Sequence, residues 1–281
     1  MTSAAAGQEA TSPTQELIRA ARDARTIELG HPHFTGMPCS PNHPGFRMTL
    51  IRRHGDMVRP DGGSASNEII VTGGHVGTHV DALSHVSHDG LLHGGIDAAE
   101  TQMGGSFSAL GAEHTPFLLN RGVLLDVAAT KGVEVLPAGY GVTADDLRQS
   151  AVRIGVELAQ GDVALIRTGW ANHFADPSTY LGQSAGVPGP TVDAAQWLAA
   201  AGVVTTGADT TAYEQIQPGA GHAVLPVHRV LLVEAGIHII EHLNLEEASA
   251  LGLTEFLFVM APLRIVGGTG SPIRPVAVVG A

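Results

Sequence analysis

The chain has 281 residues and a mass of 29.0 kDa, with 44% hydrophobic and 15% charged residues. That length allows one large domain or two small ones, and the composition suits a packed core and excludes general disorder. A net charge of −12 without a basic patch argues against a nucleic-acid partner, and the single cysteine, Cys39, rules out an internal disulfide or a thiolate-rich zinc site.

Residues 1–12 are small and polar and are expected to be disordered. They lack the basic start and apolar core of a signal peptide, and no apolar run is long enough to span a bilayer, so the cytoplasm is the expected location. Residues 14–25 have helical spacing, with Leu17, Ile18 and Ala21 on one side. Residues 26–30 read as a strand and lead into 31–46, a proline-glycine loop of the length that usually serves binding. Strands are expected at 48–53 and 67–73, joined by the polar stretch 54–66. Beyond these, strands at 121–129, 161–170, 203–209, 237–243, 255–267 and 274–280 alternate with helices at 143–155, 191–202, 228–236 and 244–252. No Pro/Gly/Ser linker interrupts this order, so 13–281 reads as one α/β domain. Strand 67–73 is followed by a loop rather than a helix, which favours a mixed sheet.

That loop begins the stretch GGHVGTHVDALSHVSHDG (73–90), which holds four of the fifteen histidines and two aspartates. His79 and Asp81 are two apart, so an extended backbone turns both to one face. His75 lies four before His79, but Val76, Gly77 and Thr78 between them are poor helix formers. A turn at Gly73, Gly74 and Gly77 would have to fold His75 back. Two imidazoles and a carboxylate without sulfur suit Zn²⁺, Mn²⁺ or Fe²⁺ and leave coordination positions for water. His85, four beyond Asp81, is placed to carry a proton. His88 and His93 read as solvated, and Asp81 taken alone could cap a turn. The full pattern H-x-G-T-H-x-D is better explained by a metal.

The pattern H-x-G-T-H-x-D-A-x-x-H, formed by His75, Gly77, Thr78, His79, Asp81, Ala82 and His85, resembles the signature of the metal-dependent cyclase-like hydrolases, the superfamily of kynurenine formamidase and isatin hydrolase. "GMP" (36–38), "RGVLLDVA" (121–128), "GDVALIRTGW" (161–170), "GADT" (207–210) and "HRVLLVEAGIHIIEHLNLEE" (228–247) resemble its other landmarks, in order, so the likeness runs from about residue 26 to 280. The resemblance implies a swivelling β/β/α fold, a catalytic Zn²⁺ or Mn²⁺ on His75, His79 and Asp81, His85 as acid/base, and hydrolysis of an amide or lactam. It also implies a homodimer or homotetramer. Some members hold a second metal with a later His and Glu, which correspond here to His228 and Glu241, although this chain has one extra residue between "LL" and "AG" (231–236). His228 and Glu241 are therefore either ligands or substrate-side groups.

The formamidases carry Pro where this chain reads "DALSH" (81–85), have a tryptophan in the early loop, and are shorter. These differences favour the isatin-hydrolase-like branch. The expected reaction is opening of a cyclic, isatin-like amide by metal-activated water. The alternatives are an arylformamidase or lactone hydrolase using the same site, or a metal- or ligand-binding protein without turnover. A proton carrier at His85 favours catalysis. Phe34, Met37 and Phe46 either line a flat-ring pocket or pack the 31–46 loop onto the sheet. Glu214 and His222 are candidates for the pocket wall, and for His33 and His43 a solvated role is favoured over contact with a substrate carbonyl. No G-x-S-x-G elbow occurs, and "GGTGSP" (267–272) lacks the helix a phosphate loop needs.

Overall fold

A computed structural model describes residues 12–280. The expected disordered stretch 1–12 lies outside the described residues except for Ser12, whose side chain caps helix α1 (Pro13–Asp23) in a capping box with Gln15. In chain order there follow β1 (Arg25–Glu28), β2 (Arg47–Arg52), β3 (Asn67–Val71), β4 (His79–Asp81), β5 (Leu118–Asp126), α2 (Ala144–Ile154), β6 (Val163–Arg167), α3 (Val192–Ala201) and β7 (Thr205–Ala208). Helix α4 starts as an α-turn (Pro226–His228) and continues as a π-helix (Arg229–Ala235); β8 (His238–Glu241), α5 (Glu246–Ala250), β9 (Glu255–Met260), β10 (Gly270–Pro272) and β11 (Val276–Val279) complete the fold.

Nine strands form one mixed sheet in the order β1-β11-β9-β5-β6-β7-β8-β4-β10. The four central strands, β5 to β8, run parallel, and every other pairing is antiparallel. Both faces are covered, as a parallel centre requires. Alternation along β6 shows this directly: Ala164 and Ile166 join a core layer with Leu147 of α2, Leu198 of α3 and Leu231 of α4. Val163 and Leu165 point the other way, into a layer with Ile27, Leu29, Phe258 and Ala248 of α5. The result is the α/β architecture on a mixed sheet expected from the sequence.

The helix ends follow local rules. Thr143 caps α2 in a box with Asp146, and Gly155 and Gly202 end α2 and α3 in the left-handed region. Three expectations change. The strand expected over 255–267 stops at Met260, because Pro262 has no N–H to continue a ladder. The strand expected at 121–129 ends at Asp126, whose carboxylate caps a short helical turn, Val127–Thr130. The helix expected from Asn244 starts two residues later, at Glu246.

Strands β2 and β3 pair only with each other and project as an arm. Every residue on both strands is exposed, including Met48, Leu50, Ile51, Ile69, Ile70 and Val71. The apolar side of α1, Leu17 and Ile18, is exposed as well. No helix among the described residues is long and apolar enough to cross a membrane.

Candidate active site

The site forms where β4 pairs with β8. The antiparallel register sets His79 directly opposite Glu241 and Val80 opposite Ile240. Alternation then divides the residues by face: Val80 and Ile240 enter the core, while His79, Asp81 and Glu241 face the cavity side. The Nε2 of His79 lies 3.4 Å from Asp81 Oδ1 and 3.7 Å from Glu241 Oε2. Its Nδ1 donates to the Gly77 carbonyl at 2.7 Å, which fixes the ring and leaves the Nε2 lone pair pointing inward.

His75 is brought back by a turn whose pivot is Gly77, at φ +66°. A Cβ at Gly77 would come within 2.5 Å of Met37 Cε and 2.7 Å of His33 Nε2, so conformation and crowding both demand glycine there. His75 Nδ1 sits 2.7 Å from Asp81 Oδ1, and its Nε2 is 2.9 Å from Thr269 Oγ1. Gly270 on β10 makes room for the ring, since a Cβ at that position would lie 2.5 Å from His75 Cε1.

His228 arrives from the first turn of α4. Glu214 accepts hydrogen bonds from the Val227 and His228 backbone N–H groups and from His228 Nδ1, the last at 2.6 Å. This grip turns Nε2 toward the sheet, 3.2 Å from Glu241 Oε1 and 3.7 Å from Asp81 Oδ2. The extra residue at 231–236 does not spoil the geometry. The helix widens to π over Arg229–Ala235, where one added residue is absorbed as a wider turn, before Gly236 ends it.

Three overlapping groups could hold a metal: His75–His79–Asp81, Asp81–His228–Glu241 and His79–Glu241–His242. Asp81 Oδ2 is buried and has no hydrogen-bond partner, although it lies among donors fixed by other contacts. A buried carboxylate oxygen without a partner is costly, and a divalent cation is a partner that would suit it. The all-nitrogen-and-oxygen donor set fits such an ion.

Electrostatics agrees with this clustering. Burial alone would raise the Asp81 pKa, but the imidazoles of His85, His75 and His79 hold it well below the usual carboxylate range. Burial opposes charge on His79, yet Asp81 and Glu241 raise its pKa. Burial likewise works against charge on His228, while Glu214 and Glu241 lift it to about 10. His85 behaves in the opposite way. Its ring stacks on His75 at 3.8 Å, and burial with the surrounding imidazoles pushes it down to about 3 against the pull of Asp81. His85 is therefore held in its neutral form at physiological pH.

A cavity of about 220 Å³ opens over these groups, lined by His75, His79, His85, His228, Glu241 and His242 together with Ser40, Asn42, His43, Thr211, His222 and Leu225. A second chamber of about 330 Å³, bordered by Leu181, Gln183 and Ile216, adjoins it and shares Ser40, Asn42 and His222. The 31–46 loop thus contributes Ser40 to His43 to the wall. Its larger apolar side chains lie elsewhere: Met37 and Phe46 pack in a core layer with Trp170 and Phe174, the packing alternative left open for them, and Phe34 is exposed. Glu214 is buried behind His228 rather than on the wall, and His222 lines both chambers. His33 donates to the Val76 carbonyl and His93 to that of Val233, so neither is simply solvated; His88 is about half exposed. Sequence spacing missed Thr211 and His242 as cavity residues, and His43, for which the sequence favours a solvated role over a substrate contact, lines the cavity. For His242 the only available signal was its place beside Glu241.

A mixed sheet carries a buried His/Asp/Glu cluster, open on one side to a cavity, with donor atoms placed as a divalent ion would need them. Residues 27–215 match the family model Cyclase, described as putative cyclase, and the chain belongs to that family. It is 26% identical over 214 residues to an isatin hydrolase of Roseibium aggregatum, covering 75% of this chain and 73% of that one. Its fold superposes on a crystal structure of a novel cyclase with a TM-score of 0.83 at 28% identity, over 96% of this chain and 92% of the other. It also superposes on isatin hydrolase A from Ralstonia solanacearum with a TM-score of 0.72 at 23% identity, over 98% and 100% of the two chains.

Proposed function

We propose that this protein hydrolyses an uncharged cyclic amide of the isatin type, or a related lactone, with a divalent metal, Mn²⁺ or Zn²⁺, held by His75, His79 and Asp81. Asp81, His228 and Glu241 are the proposed ligands of a second ion. The observation that carries this reading is a neutral, buried His85 stacked beside a cluster in which Asp81 and Glu241 stand between His79 and His228. Bound there, a divalent cation would acidify water and draw charge from a carbonyl oxygen. His85 takes the proton of the attacking water and returns it to the departing nitrogen or oxygen as the ring opens to a carboxylate. Glu214 holds the Nδ1 proton of His228, so that Nε2 is the nitrogen turned toward the site and becomes a ligand when it gives up its own proton.

The substrate class follows from the lining. Among the described residues, neither chamber has a Lys or Arg on its wall. An amino-acid side arm, such as an arylformamidase substrate of the kynurenine type carries, would find no guanidinium or ammonium side chain for its carboxylate. That supports a neutral ring over the formamidase alternative. The test is a panel of isatin, a neutral lactone and an amino-acid-bearing aryl formamide, run on metal-analysed protein with ion added back. Turnover of the first or second supports the reading, turnover of the third alone shifts it to a formamidase, and binding without product points to a non-catalytic protein.

The ligand role of His228 has a calorimetric consequence. With its pKa lifted to about 10, the ion-free protein holds a proton on this ring at neutral pH that a ligating nitrogen cannot keep. Zn²⁺ titrations at pH 7.5 in buffers of different ionisation enthalpy should therefore show net proton release, reduced in His228→Gln. Because the folded pKa is raised, this group stabilises the ion-free fold fully below about pH 6.5, and that contribution is lost as pH climbs through about 10.

The exposed β2–β3 arm supports an oligomer. Arg47, Arg52, Arg53 and Arg59 outnumber Asp56, Asp61 and Glu68 on the arm, while the whole chain carries −12, so a second copy offers both apolar and charge complementarity. Light scattering should give two or four times 29.0 kDa, and Ile51→Arg with Ile70→Arg should return the monomer mass.

A further inference from the structure

His242 is a cavity residue that neither the sequence pattern nor the proposed chemistry uses. It follows Glu241 directly and adopts φ +56°, in the left-handed region that a side-chain-bearing residue normally avoids. The backbone there is held on both sides: its N–H donates to the Thr210 carbonyl at 3.0 Å, and its carbonyl accepts from Thr78 Oγ1 at 2.6 Å. These contacts force the conformation and swing the imidazole into the cavity. Strain of this kind persists at functional sites when surrounding contacts over-determine it.

The ring is buried to 3% exposure, and its Nδ1 has no hydrogen-bond partner. Its nearest aromatic neighbours are His79, with ring centroids 5.7 Å apart, and Tyr180, at 5.4 Å. One ring nitrogen lies within 4.8 Å of the donor atoms of both His79 and Glu241. The inward Nε2 of His79 is nearly equidistant from Asp81, at 3.4 Å, and Glu241, at 3.7 Å. That nitrogen has one lone pair and can bind one ion only. An ion on it is thus close to donors from both sides, with His242 standing on the Glu241 side.

We propose that His242 is a further metal ligand of this chain, adding an imidazole to the ion held by His79 and tilting the centre toward Zn²⁺ and Co²⁺ over Mn²⁺. The inference rests on the metal-dependent reading above. Its chemistry is that of donor softness: each carboxylate or water exchanged for an imidazole favours the later first-row ions, while Mn²⁺ prefers oxygen. A substrate hydrogen bond is the competing use for an unpartnered imidazole, and it predicts different results.

The experiment uses His242→Asn and His242→Gly, because Asn and Gly both tolerate the left-handed backbone and so preserve the turn. Full-length protein is stripped of metal, and the affinities for Zn²⁺ and Mn²⁺ are measured by competition with a chelator. The visible absorption of the Co²⁺-substituted protein is recorded alongside. Both variants should bind Zn²⁺ at least tenfold more weakly, on the order of the loss of a ligand contact, with Mn²⁺ affinity changed less than threefold and the Co²⁺ bands shifted. Unchanged Zn²⁺ affinity and Co²⁺ spectrum in both variants, with KM alone raised, would overturn the proposal in favour of a substrate contact. Failure of the unaltered protein to take up any of the three ions would overturn the metal-dependent reading and this proposal together.

Discussion

Replacing His85 by alanine should lower kcat by two to four orders of magnitude while leaving the bound metal in place, the usual span for a lost general acid/base. The two effects separate because His85 belongs to none of the three ligand groups. Its ring stacks on His75 and stays neutral because burial and neighbouring imidazoles disfavour its charge. Metal content and kcat measured on one preparation decide the matter. A variant that keeps its metal and full turnover would remove His85 from the mechanism, whereas loss of metal would make its role structural. Partial rescue by added imidazole would strengthen the proton-carrier role, since a cavity of about 220 Å³ has room for a small exogenous base once the ring is gone.

Asp81→Asn should have the larger effect on metal. Asp81 appears in two of the three ligand groups, with Oδ1 near His75 and His79 and Oδ2 facing His228. The amide is nearly isosteric, so packing is kept, but the negative charge is lost and one oxygen becomes an N–H donor. Three imidazoles would then surround a group that no longer balances a cation. Divalent-ion affinity should fall by at least a hundredfold and turnover with it, while far-ultraviolet circular dichroism stays unchanged. Equilibrium dialysis against Zn²⁺ and Mn²⁺ gives the readout. Retention of both ions at wild-type affinity would mean that Asp81 is not a ligand and that the buried, unpartnered Oδ2 has another explanation.

Much of the architecture could be read locally. Thr143 and Gly155 mark α2 because capping and left-handed termination are short-range events. The run Val163–Arg167 reads as a buried strand because both its faces are covered. The histidine stretch was legible for a similar reason, since alternation over two residues already places His79 and Asp81 on one side of an extended backbone. The sequence left positions open where a distant contact decides the outcome. Met37 and Phe46 were candidates for a pocket wall, but the loop turns them into a core layer with Trp170. Glu214 was expected on the wall, yet its carboxylate is committed to the start of α4.

By itself, then, the sequence determined the α/β class and a single domain, and it marked a sulfur-free cluster of candidate ligands with a histidine four residues beyond it, because these depend on chain-local periodicity and residue chemistry. Only the tertiary structure decided that Glu241 stands opposite His79, that a π-helical turn absorbs the extra residue before Gly236, and that His242 points into the cavity. Those facts rest on the strand register between β4 and β8 and on hydrogen bonds such as Thr78 to His242, which join residues 164 positions apart. No local pattern can encode a contact of that separation.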